Sequence, residues 1–343
     1  MRPSPPLGTS RSLDIGVFGI RGIPSTYSGY ETFLTALLPI LAERGHRVTV
    51  YARIGEGDGP DDDDATANAE PTRYQGVNVV PVRSLRTKQL DTITHGFACA
   101  AKARRRHDVL FVCNVANAPV LMALRGIRVP SVLNVDGQEW LRGKWGRAGR
   151  AWFKASAYLS RVASSALVAD CRAMADVYRD QFHAKSTVIP YSLPGSVAAA
   201  AAISNDEVTR ILAEYDLTPN GYFLTGGRMV PENNIDYIAE AHHHSSRPEP
   251  LVVIGKANYD SPVVRRIQEL AAIDNRIRLI GHIDDRLHFG ALFRGATAYA
   301  HGHSVGGMNP SLVEAMGRGG DRRGPRHPVQ PRGARRSRSV LRT

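Results

Sequence analysis

The feature that most restricts what this chain can fold into is a rhythm of short apolar runs alternating with longer stretches of helical spacing. "LDIGVFGI" (13–20) is an apolar run broken by glycine, the pattern of a strand buried on both faces. In "GYETFLTALLPILAERGH" (29–46), Phe33, Leu37, Leu38 and Leu41 fall on one helical stripe, and Gly45 supplies a stop. "RVTVYAR" reads as the next strand, followed by "VNVVPV", "DVLFVCNV", "SVLNVDG", "SALVAD" and "STVIPYS". After an alanine-rich stretch (198–202) the rhythm resumes with "GYFLTGGR", "PLVVIGK", "IRLIGHI" and "ATAYAHG". Strand–helix alternation implies parallel sheets covered on both faces, and the pause divides the chain into two such units. The expected class is α/β, with Rossmann-like, doubly wound domains over 13–190 and 191–317. A tail, 318–343, is expected to be disordered.

Composition enters where it excludes something. At 343 residues and 43% apolar, the chain can bury the cores of two domains. No apolar run approaches the ~20 residues that span a bilayer, and "MRPSPPLGTSRS" has no apolar centre that would make it a secretory signal. Cys99, Cys113 and Cys171 are not closely spaced, which fits a reducing cytoplasm and argues against zinc. The net charge of +12 suggests nucleic acid at first sight. Arg318–Thr343, however, holds nine Arg and one Asp, so +8 lies in that segment and only +4 in the rest. Nucleic-acid binding is therefore not expected of the folded body. The acidic stretch "GEGDGPDDDDATANAE" reads as a solvated loop.

Doubly wound domains place ligands at the carboxyl ends of their strands, and two such domains do so in a cleft between them. After the first strand comes "GIRGIPSTYSGYETF", whose glycines let the backbone approach a ligand and whose helix opening at 29–32 offers free N–H groups. Gly16, Gly19 and Gly22, with "YAR" after the second strand, do not make the dinucleotide pattern G-x-G-x-x-G plus a later acid. Glycines serving only as turns is the alternative. "TGGRMVPENN" sets Arg228 just after a strand, where a guanidinium can fork onto phosphates, or pair instead with Glu232. "GHSVGGMNPSLVEAMG" supplies consecutive backbone donors at a helix start, with Glu314 one turn inside. A carboxylate there accepts from neighbouring sugar hydroxyls, or simply stays solvated. Arginine, helix start and carboxylate together describe a site for a nucleotide diphosphate.

On these residues the chain resembles the GT-B glycosyltransferases of family 4. More narrowly, "GIRGIPSTYSGYETF", "TKQLDTITHGF", "NVDGQEWLRGKW", "GGRMVPENNI" and "HGHSVGGMNPSLVEAMG" resemble a bacterial rhamnosyltransferase branch of polysaccharide biosynthesis. The resemblance runs from about Asp14 to Gly317. It implies a nucleotide-sugar donor, dTDP-L-rhamnose, a lipid-linked or polysaccharide acceptor, and no cofactor or metal. The donor set it implies is Ser28, Gly29, Arg228, Asn233, Gly255, Lys256, Gly306, Gly307, Met308, Asn309, Pro310, Ser311 and Glu314. The wider family carries Glu where this chain has Gly306, and Lys where it has Asn233. A phosphate charge left unbalanced in a closed site is costly, so Lys256 after "VVIG" is the expected compensating cation. The family retains anomeric configuration without an obligatory protein nucleophile, which leaves positioning and charge stabilisation to the protein. Asp136 and Arg228 are the expected catalytic residues, Asp136 having an Asx turn as its alternative role. For the acceptor the candidates are Tyr30, Glu31, Lys88, His95, Glu139 and Trp140; Lys88, Asp91 and His95 also suit pairing on a helix surface.

Two motifs are read as non-metal and interfacial. His242, His243 and His244 are consecutive on a helix and point in different directions, so they cannot converge on one ion. "RGKWGRAGRAWFKASAYLSR" mixes cations with aromatics as an interfacial helix does, and suggests peripheral contact with the inner face of the plasma membrane. A basic surface helix with buried aromatics is the alternative.

The tail breaks the pattern. Nine arginines and three prolines with scarcely a hydrophobe cannot offset the entropy of ordering. Read one base out of frame, codons for "GDRRGPRHPVQPRG" are compatible with "VTVVAHDTPFNREV", which is what the resembled family carries here. The tail is thus expected to be a frameshift product that leaves the second domain incomplete and activity impaired. Competing readings are a nonenzymatic remnant or binding module with a basic arm, and a GT-B nucleotide-sugar isomerase.

Overall fold

The structure is a computed structural model that describes residues 11–24, 29–53, 71–83, 91–104, 106–125, 129–135, 137–143, 145–191, 203–255, 261–308, 312–313 and 339–342. Internal contacts divide the chain into two compact units. The first comprises 1–135, 151–169 and 175–189, and the second 136–150, 170–174 and 190–343. A single boundary near 190 was expected; the segments 136–150 and 170–174 group instead with the second unit.

The first sheet has eight strands in the order β3-β4-β2-β1-β5-β6-β7-β8. They are β1 (Asp14–Phe18), β2 (Arg47–Arg53), β3 (Thr72–Tyr74), β4 (Val77–Val82), β5 (Val109–Cys113), β6 (Ser131–Val135), β7 (Ala166–Ala169) and β8 (Thr187–Val188). All pairings are parallel except the β3–β4 hairpin, so the crossovers must be long. Helices α1 (Gly29–Glu43), α2 (Asp91–Ala103), α3 (Ala118–Leu124), α4 (Arg147–Ala163) and α5 (Arg172–Phe182) lie in those crossovers. Val17, Phe18, Val50, Leu110, Val112, Leu133 and Val135 are almost wholly buried, as near-continuous apolar strands covered on both faces should be.

The second sheet runs β11-β10-β9-β12-β13. Its strands are β9 (Phe223–Gly226), β10 (Leu251–Ile254), β11 (Ile277–Gly281), β12 (Ala298–His301) and β13 (Ser339–Arg342). Its helices are α6 (Asn205–Ala213), α7 (Ile235–His243), α8 (Pro262–Ile273) and α9 (Arg286–Gly295). The period of two is visible on β10. Val252 and Ile254 pack with Leu212, Tyr222 and Phe293 on one face. Leu251 and Val253 pack with Ile235, Ile267 and Leu270 on the other. Each such fully buried aliphatic side chain contributes roughly 1.5–3 kcal/mol. Side-chain caps start three of the helices: Ser204 accepts from Glu207 N–H, Ser261 from Val264 N–H, and Asp285 from Leu287 N–H.

Strand β13 pairs antiparallel with β12 through Ser339–Arg342. The expectation that the whole of 318–343 lacks structure is corrected for these four residues. The physical reason is local: β12 offers a row of backbone donors and acceptors on the side away from β9, and strand addition satisfies them. Among the described residues no helix is long and apolar enough to cross a membrane.

Candidate functional site

In the second sheet β9 lies between β10 and β12, so the chain goes from β9 to one side first and reaches the other later. Loops leaving the carboxyl ends of β9 and β12 diverge at such a switch point, and the gap left is where an open α/β sheet takes a ligand. Arg228 sits in the first of these loops and is exposed, with no ion pair among the described residues. The pairing with Glu232 weighed from sequence does not form; Glu232 Oε1 accepts from Gly143 N–H at 3.0 Å.

The two loops are tied together by asparagines. Asn233, in a short 3-10 turn and 8% exposed, donates through Nδ2 to the Arg228 carbonyl at 2.7 Å. Its Oδ1 faces His303 Nδ1 at 2.6 Å. Asn234, left-handed at φ 51°, donates to the Gly302 carbonyl at 2.7 Å, and Ser304 N–H donates to the Glu232 carbonyl at 2.9 Å. The Arg228 loop and the glycine loop at 302–308 therefore form one assembly, although they are 70 residues apart in the chain. Two glycines are required by it. Gly255, after β10, has φ +144°, and a Cβ there would lie 2.1 Å from the Gly227 carbonyl oxygen. Gly306 has φ +147°, and its Cβ would lie 2.6 Å from His303 Nε2.

The electrostatics are unusual for an exposed loop. Burial, then the charges of His301, Arg142 and Arg228, push the His303 imidazole down to about 3, with the Val305 backbone acting weakly the other way. Burial lowers His301 to about 4. The two rings stack at 5.9 Å, and both are neutral at ordinary pH. Asp170, directly after β7 and 1% exposed, accepts through Oδ2 from Met308 N–H, while its buried Oδ1 has no hydrogen-bond partner among the described residues. Burial raises this carboxyl to about 6, against the lowering effect of the Met308 N–H bond.

Of the residues expected from sequence, Arg228, Asn233, Gly255, Gly306, Gly307 and Met308 fall in the loops that follow β9, β10 and β12. Ser28, Lys88, Asp136, Lys256, Asn309, Pro310, Ser311 and Glu314 lie outside the described residues. Gly29 and Tyr30 open α1, both half-buried. Three acceptor candidates need correction. Glu31 is 1% exposed, and its Oε1 accepts from Arg21 N–H at 2.8 Å, fixing the turn after β1. His95 is fully buried on α2 against Cys99 Sγ, 3.3 Å from Nε2, out of reach of any solute. Trp140 is 7% exposed and serves packing. Glu139 is engaged by Trp145 Nε1 at 3.1 Å and by Arg142 Nε at 2.6 Å. Sequence reading missed Arg142, Asp170 and His303. Asp170 could have been found by the same rule that found Arg228, since it ends the run "SALVAD". The other two depend on contacts between distant loops.

Comparisons with known proteins agree with this architecture. Residues 28–192 match the family described as Glycosyl transferase 4-like domain. No curated protein sequence matches the chain. Among solved structures, HepE of Anabaena in complex with UDP-glucose is similar at a TM-score of 0.64 and 13% identity, covering 89% of this chain and 78% of its own. Sucrose-phosphate synthase from Thermosynechococcus elongatus gives 0.66 and 13%, over 88% of this chain and 78% of its own. The UDP-forming α,α-trehalose-phosphate synthase from Burkholderia vietnamiensis gives 0.65 and 13%, over 90% and 82%. A glycosyl transferase 4-like domain model thus matches residues 28–192, and the two parallel sheets have the GT-B fold of these solved structures.

Proposed function

We propose that the chain is a retaining glycosyltransferase that moves a sugar, rhamnose from dTDP-L-rhamnose, onto a lipid-linked or polysaccharide acceptor in cell-surface polysaccharide biosynthesis. The observation that carries the donor class is the Arg228 loop. Among the described residues no carboxylate pairs with this guanidinium, which stands exposed at a switch point, its own carbonyl fixed by Asn233, beside the glycine loop. Such an arrangement suits a diphosphate, whose oxygens only accept hydrogen bonds. HepE binding UDP and UDP-glucose supports a nucleotide-sugar donor here.

In the proposed reaction the bond from the sugar's anomeric carbon to the diphosphate oxygen breaks. The acceptor oxygen bonds to that carbon on the same face, and its proton passes to a phosphate oxygen of the departing nucleotide. No protein nucleophile is consumed. Arg228 and the loop N–H groups would stabilise the departing charge, with Lys256 and Glu314 as further donor contacts and Asp136 towards sugar or acceptor. A lipid-linked acceptor calls for work at the inner face of the plasma membrane, which the four cations and no anions of α4 favour.

The test is release of nucleoside diphosphate from a panel of nucleotide sugars, with and without polyprenyl-linked acceptor. Arg228→Ala is expected to lower kcat/KM by about 100-fold or more, the scale of losing one preorganised charge donor. Turnover unaffected by that substitution would defeat the reading of the site. A different preferred sugar would defeat only the rhamnose assignment.

A further inference from the structure

A bound diphosphate carries more charge than one guanidinium balances, and charge left over in a closed site is costly. Arg228 brings one cation to the loop assembly, and the segment 137–143, which belongs to the same compact unit, brings a second. That segment meets both loops. Gly143 N–H donates to Glu232 Oε1 at 3.0 Å, and a Cβ on Gly137 would lie 4.0 Å from the Gly306 Cα. Glu232 also holds the glycine loop, its carbonyl accepting from Ser304 N–H and Ser304 Oγ. Arg142, directly before Gly143, is thereby fixed where the two loops join. Its guanidinium is set from one side: Nε lies 2.6 Å from Glu139 Oε1, while Trp145 Nε1 donates to Glu139 Oε2 at 3.1 Å. With Nε engaged there, the Nη groups are what the side chain can offer a ligand. At 17% exposure the side chain is largely desolvated, which strengthens any charge contact it makes, without being sealed. Burial first, then the charges of His301, Arg142 and Arg228, hold His303 at about 3, so both guanidiniums act on one neutral ring. Like charges brought to one neutral group repel each other, and an anion beside them turns that cost into stabilisation.

We infer that Arg142 is a second phosphate-binding arginine of the donor site, its Nη groups bonding the diphosphate that Arg228 holds from the loop after β9. Glu139 orients the guanidinium and offsets part of its charge, and the contact of Gly143 with Glu232 keeps it in register with Arg228. The inference rests on the nucleotide-sugar reading above and deepens it, adding to the site a cation from a segment far from both loops in sequence.

Binding measurements on the full chain test it. Calorimetric Kd values for UDP and dTDP, and values for uridine and thymidine by competition, would be compared in wild type and four variants: Arg142→Gln, Arg142→Ala, Arg142→Lys and Glu139→Gln. For the nucleoside diphosphate that wild type binds best, the two neutral Arg142 variants are expected to weaken affinity about tenfold, the scale of one lost hydrogen bond to a charged group. The matching nucleoside should change less than twofold, and the salt dependence of Kd should become shallower, because one cation fewer faces the phosphates. Arg142→Lys keeps the charge and should recover part of the loss. Glu139→Gln keeps an acceptor for Nε but removes the competing charge, so it should tighten diphosphate binding. If Arg142 served only its ion pair with Glu139, Glu139→Gln would weaken binding as much as Arg142→Gln does, and that result overturns the inference. So does equal weakening towards nucleoside and diphosphate, or a variant, folded by circular dichroism, with wild-type affinity and salt dependence. Loss of diphosphate binding in Arg228→Ala but not in the Arg142 variants would sink the inference and leave the donor class standing. Wild type that binds no nucleoside diphosphate would sink both.

Discussion

Asp170 shows what a single buried group does to the chain's response to pH. Its carboxyl is raised from an ordinary 3.8 to about 6 by burial. The folded chain therefore holds a proton that the unfolded chain releases between those values, so stability from this group is present at low pH and is lost as pH rises through 6. Asp170→Asn carries no charge at any pH. Its melting temperature relative to wild type is expected to be higher at pH 8 than at pH 5, measured by paired thermal melts; an unchanged difference would mean the carboxyl is not held protonated. His301 and His303 act in the opposite direction. Both are depressed below an ordinary 6.5, so their contribution is present above that value and is lost on acidification. They are common to both proteins in this comparison and cancel. Asn233 gives a second residue-scale test. Asn233→Leu removes two hydrogen bonds with little change in volume, leaving His303 Nδ1 without Asn233 Oδ1 and the Arg228 carbonyl with only its bond from Val230 N–H. A loss of about 1–3 kcal/mol is expected in urea unfolding, with weaker diphosphate binding beside it.

Loops after strands hold together only where the backbone can turn, and at Gly255 the constraint is severe. A residue with a Cβ would combine a positive φ with a 2.1 Å approach to the Gly227 carbonyl. Gly255→Ala is expected to cost about 1–3 kcal/mol from the backbone conformation alone, visible as a lowered denaturant midpoint; a neutral substitution would mean the loop has another conformation of equal energy. At this scale the sequence was most legible. β1, β2, β5, β6, β9 and β10 are apolar runs with few alternatives, and α1 follows from the stripe of Phe33, Leu37, Leu38 and Leu41. Arg228 and the glycine loop were legible because their position after a strand carries the message. Glu31 and His95 were not, because a polar residue facing a core reads the same as one facing a ligand until its partners are known. Arg21 N–H and Cys99 are those partners. β13 was missed because an arginine-rich composition says nothing of a four-residue run that borrows its order from β12.

For the whole molecule, charge is the property with an outward consequence. The chain carries +12, and α4 contributes Arg147, Arg150, Lys154 and Arg161 with no acidic residue, all four exposed; the Arg161 guanidinium lies 4.1 Å from the ring centre of the exposed Tyr158. Each cation near an anionic surface is worth about 1 kcal/mol. Reversing three of them, as Arg147→Glu, Arg150→Glu and Lys154→Glu together, is expected to weaken co-sedimentation with phosphatidylglycerol vesicles at least tenfold, and high salt to do the same for wild type. Binding that ignores both changes would rule out an electrostatic contact through α4. The order of strands in the second sheet has a consequence of a different kind, in time rather than space. β9 is synthesised before either neighbour, β10 joins it soon afterwards, and β12 comes to its other side only after some 75 residues, as the bond from Thr225 Oγ1 to the Ala300 carbonyl records. Until then one flank of β9 is bare. A ribosome that pauses in this interval presents a half-sheet with an open hydrogen-bonding edge, and a second nascent copy offers the same strand to fill it.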